Sequence, residues 1–300
     1  MILLKELEIK GELREKEPLS RHTSLLVGGE ARYFLYAEGV DDIMKSLSFC
    51  EHDGIPYYII GKGSNVLFLD EGFSGLVITT ERLDIIEVNE NVIRSQAGAS
   101  LIEIIKRCKE ASLSGLESLS GIPGTIGGAV IMNAGAYECE IGDLVLAVSI
   151  LRKGDIIQLE DFHFGYREST LKGEIILEVI LMVNEGDRNE IEGRMEEVLE
   201  KRKINLPQLP KDTGTCGSVF KNPENKHAGF LIDRIGLKGR RVGGAMISME
   251  HANYILTNKY AKSQDVVELI RRIRDAMEKK YGIILETEVV IVGKEKEIQI

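Results

Sequence analysis

Leu119-Ser120-Gly121-Ile122-Pro123-Gly124-Thr125-Ile126-Gly127-Gly128-Ala129-Val130-Ile131-Met132-Asn133-Ala134-Gly135-Ala136-Tyr137 carries no charged side chain, yet glycine interrupts it too often for a single core element. Glycines at 121, 124, 127, 128 and 135 let the backbone take positive φ and approach a ligand closely, so that amide N–H groups rather than side chains face it. That arrangement suits a phosphate or pyrophosphate. A buried turn cluster between packed elements has the same composition, and the rest of the chain decides between the two.

Directly upstream, Ser100-Leu101-Ile102-Glu103 reads as a capping box opening a helix with Leu101, Ile104, Ile105 and Cys108 as its apolar stripe. Before it, Tyr33-Phe34-Leu35-Tyr36, a helix over 41–52 with Ile43, Leu47 and Cys50 on one face, and Tyr57-Tyr58-Ile59-Ile60 form a β-α-β unit. A polar loop, Gly61-Lys62-Gly63-Ser64-Asn65, follows, and Val66-Leu67-Phe68-Leu69 and Gly75-Leu76-Val77-Ile78 read as further strands. The loop is neither a phosphate-loop motif, since Gly follows Gly-Lys, nor a Rossmann fingerprint. It is a strand end whose backbone, Ser64 and Asn65 can donate to an anion, and a dinucleotide is long enough to use both glycine-rich loops.

Downstream, 187–203 is strongly charged, with Ile191, Met195, Val198 and Leu199 at helical spacing, and Pro207 and Pro210 mark a boundary. The last section predicts a helix over 228–235 ended by Gly236, strands near Ala245 and Tyr254, and a long helix over 265–281. Ser263 is read as the N-cap of that helix, Val266, Val267, Ile270, Ile273 and Met277 as its stripe, and Gly282 as its end, with a terminal strand over 283–292.

A chain of 300 residues, 43% hydrophobic, is ample for a sizeable core and suggests about two ordinary domains. Its net charge of −10 argues against nucleic-acid binding, which needs a basic surface. The apolar start Met1-Ile2-Leu3-Leu4 is too short for a signal peptide, no long apolar stretch signals membrane insertion, and a cytoplasmic location is expected. Cys50, Cys108, Cys139 and Cys216 are far apart, read as reduced core thiols, and the five histidines form no ligand spacing, so no metal is expected.

Three further segments could carry chemistry. Gly165-Tyr166-Arg167-Glu168-Ser169 holds a guanidinium between a Tyr and a carboxylate, a pattern shared with ordinary surface Arg–Glu pairs. Gly217-Ser218-Val219-Phe220-Lys221-Asn222-Pro223 offers a Ser beside a Gly, with Lys221 and Asn222 as anion ligands, and lacks a nucleophile elbow. In Leu285-Glu286-Thr287-Glu288-Val289-Val290 the alternation puts Glu286 and Glu288 on one strand face, either solvated or with one of them a buried acid.

Taken in order, these blocks resemble the UDP-N-acetylenolpyruvoylglucosamine reductase family. The resemblance runs through His22-Thr23-Ser24, Val27-Gly28-Gly29, Gly61-Lys62-Gly63-Ser64-Asn65, Ser120 to Gly128, Met132 to Tyr137, Tyr166 to Ser169, Gly217 to Pro223, Ala228-Gly229, Gly243-Gly244-Ala245, His251-Ala252-Asn253 and Glu286-Thr287-Glu288-Val289. It implies an α/β (α+β) chain with a two-lobed FAD-binding fold of the vanillyl-alcohol-oxidase/PCMH type and a C-terminal α+β substrate domain. The expected division is 1–80 for one FAD-binding lobe, with 289–300 as a candidate strand returning to it, 81–203 for the second lobe, and 204–288 for the substrate domain.

The resemblance further implies non-covalent FAD, NADPH as co-substrate, and reduction of UDP-N-acetylglucosamine enolpyruvate to UDP-N-acetylmuramate for cell-wall peptidoglycan, by a chain expected to be monomeric. Implied FAD contacts are Gly61, Lys62, Gly63, Ser64 and Asn65, then Gly121, Ile122, Gly124, Thr125, Gly127, Gly128, Asn133, Gly135 and Ala136. Arg167, Ser218 and Glu288 match the family's catalytic residues, and Tyr166, Lys221 and Asn222 are implied substrate contacts. Cys216, Thr287 and the pair Glu138-Cys139 depart from the family's common Ala, Pro and glycines, and 166–218 shows no insertion for an extra Tyr loop, which implies the shorter subclass. The alternatives are an FAD oxidase or dehydrogenase of the vanillyl-alcohol-oxidase type, against which 217–223 argues, and a binding protein without turnover, which would lack the polar trio.

Overall fold

The computed structural model describes residues 7–300; the apolar start at residues 1–6, read above as too short for a leader, lies outside the described residues. Strands and helices alternate along the chain, so the α/β (α+β) expectation holds. The chain divides into two compact units, each built from discontinuous segments.

The first unit takes in 7–14, Phe34–Lys62 and Val77–Arg202. Helix α1 (Val40–Asp53) buries Ile43, Leu47 and Cys50, and Gly54 ends it at φ 64°. Asp42 on the same helix is buried and accepts the N–H groups of Lys10 (2.8 Å), Gly11 (2.9 Å) and Glu38 (2.9 Å), which offset the cost of burying its carboxylate. A five-stranded antiparallel sheet runs in the order Asp155–Leu159, Val145–Arg152, Ile175–Met182, Val92–Gln96, Ile86–Asn89. Leu101, Ile104, Ile105 and Cys108 of α2 (Leu101–Glu110) share one buried core with Ile126 and Val130 of α3 (Ile126–Ile131) and with Ile93, Val179 and Leu181 of the sheet.

One expectation needs correction here, and another is met by a narrower stripe than its spacing suggests. Ser100 stands at the N-cap of α2, but its side chain makes no cap hydrogen bond; instead Leu101 N–H donates to Gly124 O (3.2 Å), so the glycine-rich run answers the helix's open first turn. In α4 (Arg188–Asn205), capped by Asp187 Oδ1 on the N–H groups of Asn189 (2.9 Å) and Glu190 (3.1 Å), Ile191 and Val198 are buried while Leu199 is 46% exposed. A stripe this narrow covers only one line of contact, and Leu199 falls beside it.

Glu117 ties α4 to the loop before the glycine run. It accepts Gly115 N–H (2.7 Å) and Arg194 Nη2 (2.7 Å). Burial works to raise its carboxyl, but its own and the Gly115 N–H, Arg194 and Ser114 outweigh that and hold it below the ordinary glutamate value of 4.5. The folded chain thus binds this proton more weakly than the unfolded chain, so the stabilisation is present above 4.5 and is lost as pH falls below it. Glu117→Gln is expected to flatten the acid-side fall in Tm, and equal slopes for variant and parent would refute this.

The second unit takes in Glu15–Tyr33, Gly63–Leu76 and Lys203–Ile300. An antiparallel sheet of Arg241–Val242, Ala245–Ile247 and Ile255–Thr257 lies with α5 (Ala228–Arg234) and α6 (Ser263–Tyr281) around one apolar core. The stripe Val266, Val267, Ile270, Ile273 and Met277 is buried as expected, joined by Leu269, and Gly282 closes the helix at φ 66°. Ser263 is not the N-cap: α6 begins on it, with Lys262 at the cap. The Asp70 carboxylate, from the loop after Val66–Phe68, accepts the N–H of Ser263 (2.9 Å) and Gln264 (3.2 Å), an acid brought from a distant segment to the positive end of a helix.

The strand expected over 283–292 is only Val290–Val292, which runs parallel to Val66–Phe68 and antiparallel to Glu297–Ile298. Ahead of it the backbone pairs residue by residue with an irregular segment: Phe220 bridges Thr287, and Lys221 N–H donates to Glu286 O (2.9 Å). Alternation in the sequence reports which residues face inward, and that pattern survives without a continuous ladder.

Candidate active site

In the first unit the two glycine-rich loops touch. Gly61 lies so close to Thr125 that a Cβ would collide with Thr125 Oγ1, and Thr79 Oγ1 donates to Gly61 O (3.4 Å). Lys62 beside it is exposed. Gly121 and Gly124 take φ of 79° and 133°, conformations a side chain would strain, and Ile122 is half-buried between them. Thr125 caps α3, accepting Gly128 N–H (3.3 Å), and Gly128 is exposed. Gly127 meets protein instead: its N–H donates to Ala97 O (2.9 Å), and a Cβ there would stand 2.9 Å from Ala97 Cβ.

Asn133 is fully buried at φ 42° and knots this region together. Its Nδ2 donates to Glu140 Oε2 (2.6 Å) and Gly165 O (2.9 Å), and its Oδ1 accepts Gly142 N–H (3.0 Å). Gly135–Ala136 pairs with Cys139–Glu140. Tyr166 and Arg167 form the turn between Phe164–Gly165 and Glu168–Ser169, with Arg167 at φ 58° and Tyr166 exposed. The Arg167 guanidinium reaches back to the glycine run, donating to Gly135 O (2.6 Å) and Asn133 O (3.4 Å), and Glu140 Oε1 stands 3.8 Å away. A Cβ on residue 135 would stand 2.8 Å from Cys139 O and Glu140 Cγ and 3.2 Å from Arg167 Nη1, so Gly135 lets these three groups close in around it.

In the second unit, Gly63 takes φ 58° and is pressed against the His22 carbonyl, where a Cβ would overlap it. Ser24 N–H donates to Gly63 O (3.1 Å) and Ser24 Oγ to Ser64 O (3.1 Å). His22 is itself held by a buried contact of its Nε2 with Glu17 Oε1 (2.9 Å). Asn65 completes the loop's anchorage: its Nδ2 donates to Glu288 O (3.0 Å) and its carbonyl accepts Val290 N–H (3.0 Å).

Ser218 and Glu288 belong to the same lattice. Glu288 N–H donates to Val219 O (2.8 Å), Val219 N–H to Asn253 O (2.8 Å), and Ser218 bridges Tyr254. Buried Asn253 clamps Phe220, its Oδ1 accepting Phe220 N–H (3.0 Å) and its Nδ2 donating to Phe220 O (2.8 Å). Ser218 and Glu288 are both half-buried, whereas Glu286 is 71% exposed, pairing through Oε1 with Lys221 Nζ (2.7 Å). The two glutamates thus part into a solvated one and a sheltered one. Asn222 is exposed, and its Oδ1 accepts Ala228 N–H (2.9 Å) at the start of α5. Burial, with the nearby Glu288 charge, pushes the Cys216 thiol up to about 12 and keeps it protonated. Burial and then Lys238 lower His251, whose ring stacks edge-on against Tyr254 at 4.8 Å.

Asn253, Tyr254, Glu140, Glu17 and the anchoring role of Ser24 were not assigned from sequence. Asn253 had a signal, an amide within an apolar stretch; Glu140 and Glu17 had none, since their spacings to Asn133 and His22 match no local helix or turn pattern.

The donor set fits an uncharged grip on an extended phosphate ligand. Gly121 and Gly124 take positive φ, Gly128 is exposed at the start of α3, and Ser120 beside Gly121 keeps a buried Oγ without a hydrogen-bond partner. Among the described residues, no group of three or more His, Cys, Asp or Glu is placed to hold a metal, and no helix is long and apolar enough to cross a membrane.

Residues 31–160 match the FAD binding domain family, and residues 209–292 match the UDP-N-acetylenolpyruvoylglucosamine reductase C-terminal domain. A flavin-binding domain with this C-terminal partner defines an FAD-dependent oxidoreductase. The UDP-N-acetylenolpyruvoylglucosamine reductase of Pediococcus pentosaceus is 38% identical over 290 residues, 95% of this chain and 96% of the relative. That of Exiguobacterium sibiricum is 39% identical over 284 residues, 93% and 92% of the two chains. The crystal structure of the Thermus caldophilus enzyme superposes with a TM-score of 0.81 at 36% identity, covering 94% of this chain and 99% of that one. The chain belongs to the UDP-N-acetylenolpyruvoylglucosamine reductase family.

Proposed function

We propose that this chain catalyses the NADPH-dependent, FAD-mediated reduction of UDP-N-acetylglucosamine enolpyruvate to UDP-N-acetylmuramate, a cytoplasmic step in making peptidoglycan precursors. The observation that carries this reading is the Glu288 N–H bond to Val219 O, which fixes Glu288 and Ser218 on adjoining backbone, while Asn65 of the first glycine loop holds the Glu288 carbonyl. On this reading, Gly61, Lys62, Gly63, Ser64, Asn65 and the run from Gly121 to Ala136 hold FAD, largely through backbone. Asn133 does so by shaping that backbone, since its side chain is bonded within the protein. FAD supplies two-electron carriage from NADPH to the terminal carbon of the enolpyruvyl group. The remaining three-part division, two FAD-binding lobes over 1–80 and 81–203 and a substrate domain over 204–288, is part of the same proposal.

Hydride at the terminal carbon leaves negative charge on the α-carbon and its carboxylate, which calls for preorganised donors. On this reading Arg167 stabilises the charge developing on the carboxylate, Glu288 shares a proton with it, and Tyr166, Lys221 and Asn222 are substrate contacts. Ser218 Oγ–H gives its proton to the α-carbon, completing the saturated ether, and solvent reprotonates the serine. Charge assistance from Lys221 at the serine oxygen competes with its pairing to Glu286, which solvent weakens.

The test is anaerobic. The purified protein should carry flavin absorbance, lose it on adding NADPH, and regain it on adding the UDP-linked enolpyruvyl ether. Binding of that compound without flavin reoxidation sinks the proposal.

A further inference from the structure

We infer that Glu140 is a positioning residue, coupling the glycine run to the arginine that meets the substrate; this rests on the reading of Arg167 given above. Arg167 occupies φ 58°, a conformation that strains any residue but glycine, and strain of this kind persists only where surrounding contacts over-determine it. Several such contacts lie on one patch. Two carbonyls of the glycine run, Gly135 O at 2.6 Å and Asn133 O at 3.4 Å, take the guanidinium, and the Glu140 carboxylate faces it at 3.8 Å with the arginine side chain 17% exposed.

Glu140 serves both ends of this arrangement with different atoms. Oε2 accepts from Asn133 Nδ2 (2.6 Å), fixing the residue whose carbonyl receives the arginine, and Oε1 supplies the charge opposite Arg167. Asn133 in turn holds Gly165 O (2.9 Å), immediately ahead of the Tyr166–Arg167 turn. A shift of Glu140 would therefore move the carbonyl under the guanidinium and the strand that presents it together. Glu140 touches neither reacting atom on this reading; it acts through Arg167.

The two atoms can be separated experimentally in the flavin-loaded enzyme. Glu140→Gln keeps an oxygen for Asn133 and removes the charge facing Arg167, so it should retain FAD affinity and NADPH-driven flavin reduction while slowing substrate-driven reoxidation roughly 10-fold or more, the scale expected of a displaced catalytic group. Glu140→Ala removes both and should also weaken FAD retention, read from the fluorescence of released flavin. Reoxidation at the parent rate in Glu140→Gln, or equal slowing of both half-reactions, overturns the inference. Arg167→Lys distinguishes this from failure of the underlying reading. If Arg167→Lys reoxidises at the parent rate, the role of Arg167 falls and Glu140's with it. If Arg167→Lys is slow and adding Glu140→Gln costs less than about twofold more, the coupling stands; a full second loss overturns it.

Discussion

Ser218→Ala is expected to leave NADPH-driven flavin reduction intact while slowing substrate-driven flavin reoxidation by on the order of 10²–10⁴, the usual worth of a positioned proton donor. The separation follows from where Ser218 sits. Its backbone bridges Tyr254, and its neighbour Val219 is pinned between Asn253 and Glu288, so the segment keeps its path when one hydroxyl is removed. A half-buried serine exchanged for alanine loses little packing, so Tm should move by less than about 1 kcal/mol of stability would shift it. Stopped-flow absorbance of each half-reaction checks this, and equal slowing of both halves would mean that Ser218 shapes the site and does not donate the proton.

Gly63→Ala carries the second large effect, this time on the cofactor. Its Cβ would overlap His22 O and stand 3.0 Å from His22 C and 3.1 Å from Thr23 Cα, all backbone atoms with no flexible end to give way. Positive φ adds strain of about 1–3 kcal/mol. Since the same loop carries Ser64 and Asn65, its displacement should empty the protein of flavin as well as lower Tm. Gly54→Ala is the control: φ there is 64°, but nothing lies within 4 Å of the new Cβ. The control should cost strain alone and keep its flavin. Matching flavin loss in the two variants would show that the effect at residue 63 is general destabilisation.

What the sequence disclosed, and what it withheld, follows from the range of the interactions. The stripe of α6, Val266 to Met277, was legible because helical burial repeats every three or four residues. Of the five glycines in the run read as free to take positive φ, Gly121 and Gly124 do so, while Gly127, Gly128 and Gly135 do not; glycine marks where positive φ is tolerated, not where it is used. The start of α6 was misplaced because its terminating acid, Asp70, lies 193 residues away from Ser263. The capping box at Ser100 did not form; the Ser100 backbone bridges Thr125, and Leu101 N–H is met by Gly124 O, both from another part of the chain that local pattern does not see. Arg167 shows the limit in the site itself. Neighbours in sequence suggested a pair with Glu168, and the guanidinium does lie over the Tyr166 ring at 5.0 Å, but its contacts with Gly135, Asn133 and Glu140, about thirty positions upstream, left no local mark.

The bond from Asn65 to Glu288 spans 223 residues, and the second unit is assembled from Glu15–Tyr33, Gly63–Leu76 and Lys203–Ile300. During synthesis, the first two of these segments leave the ribosome long before the third exists. They carry the apolar side chains Leu25, Val27 and Leu67, whose burial partners Val219, Ile255, Val266 and Ile291 are still untranslated. Contacts this distant in sequence are slow to form and leave apolar surface open to aggregation meanwhile. A nascent chain of this enzyme therefore has to wait, and the loop ending in Asn65 gains its last anchor only after nearly the entire polypeptide has been made.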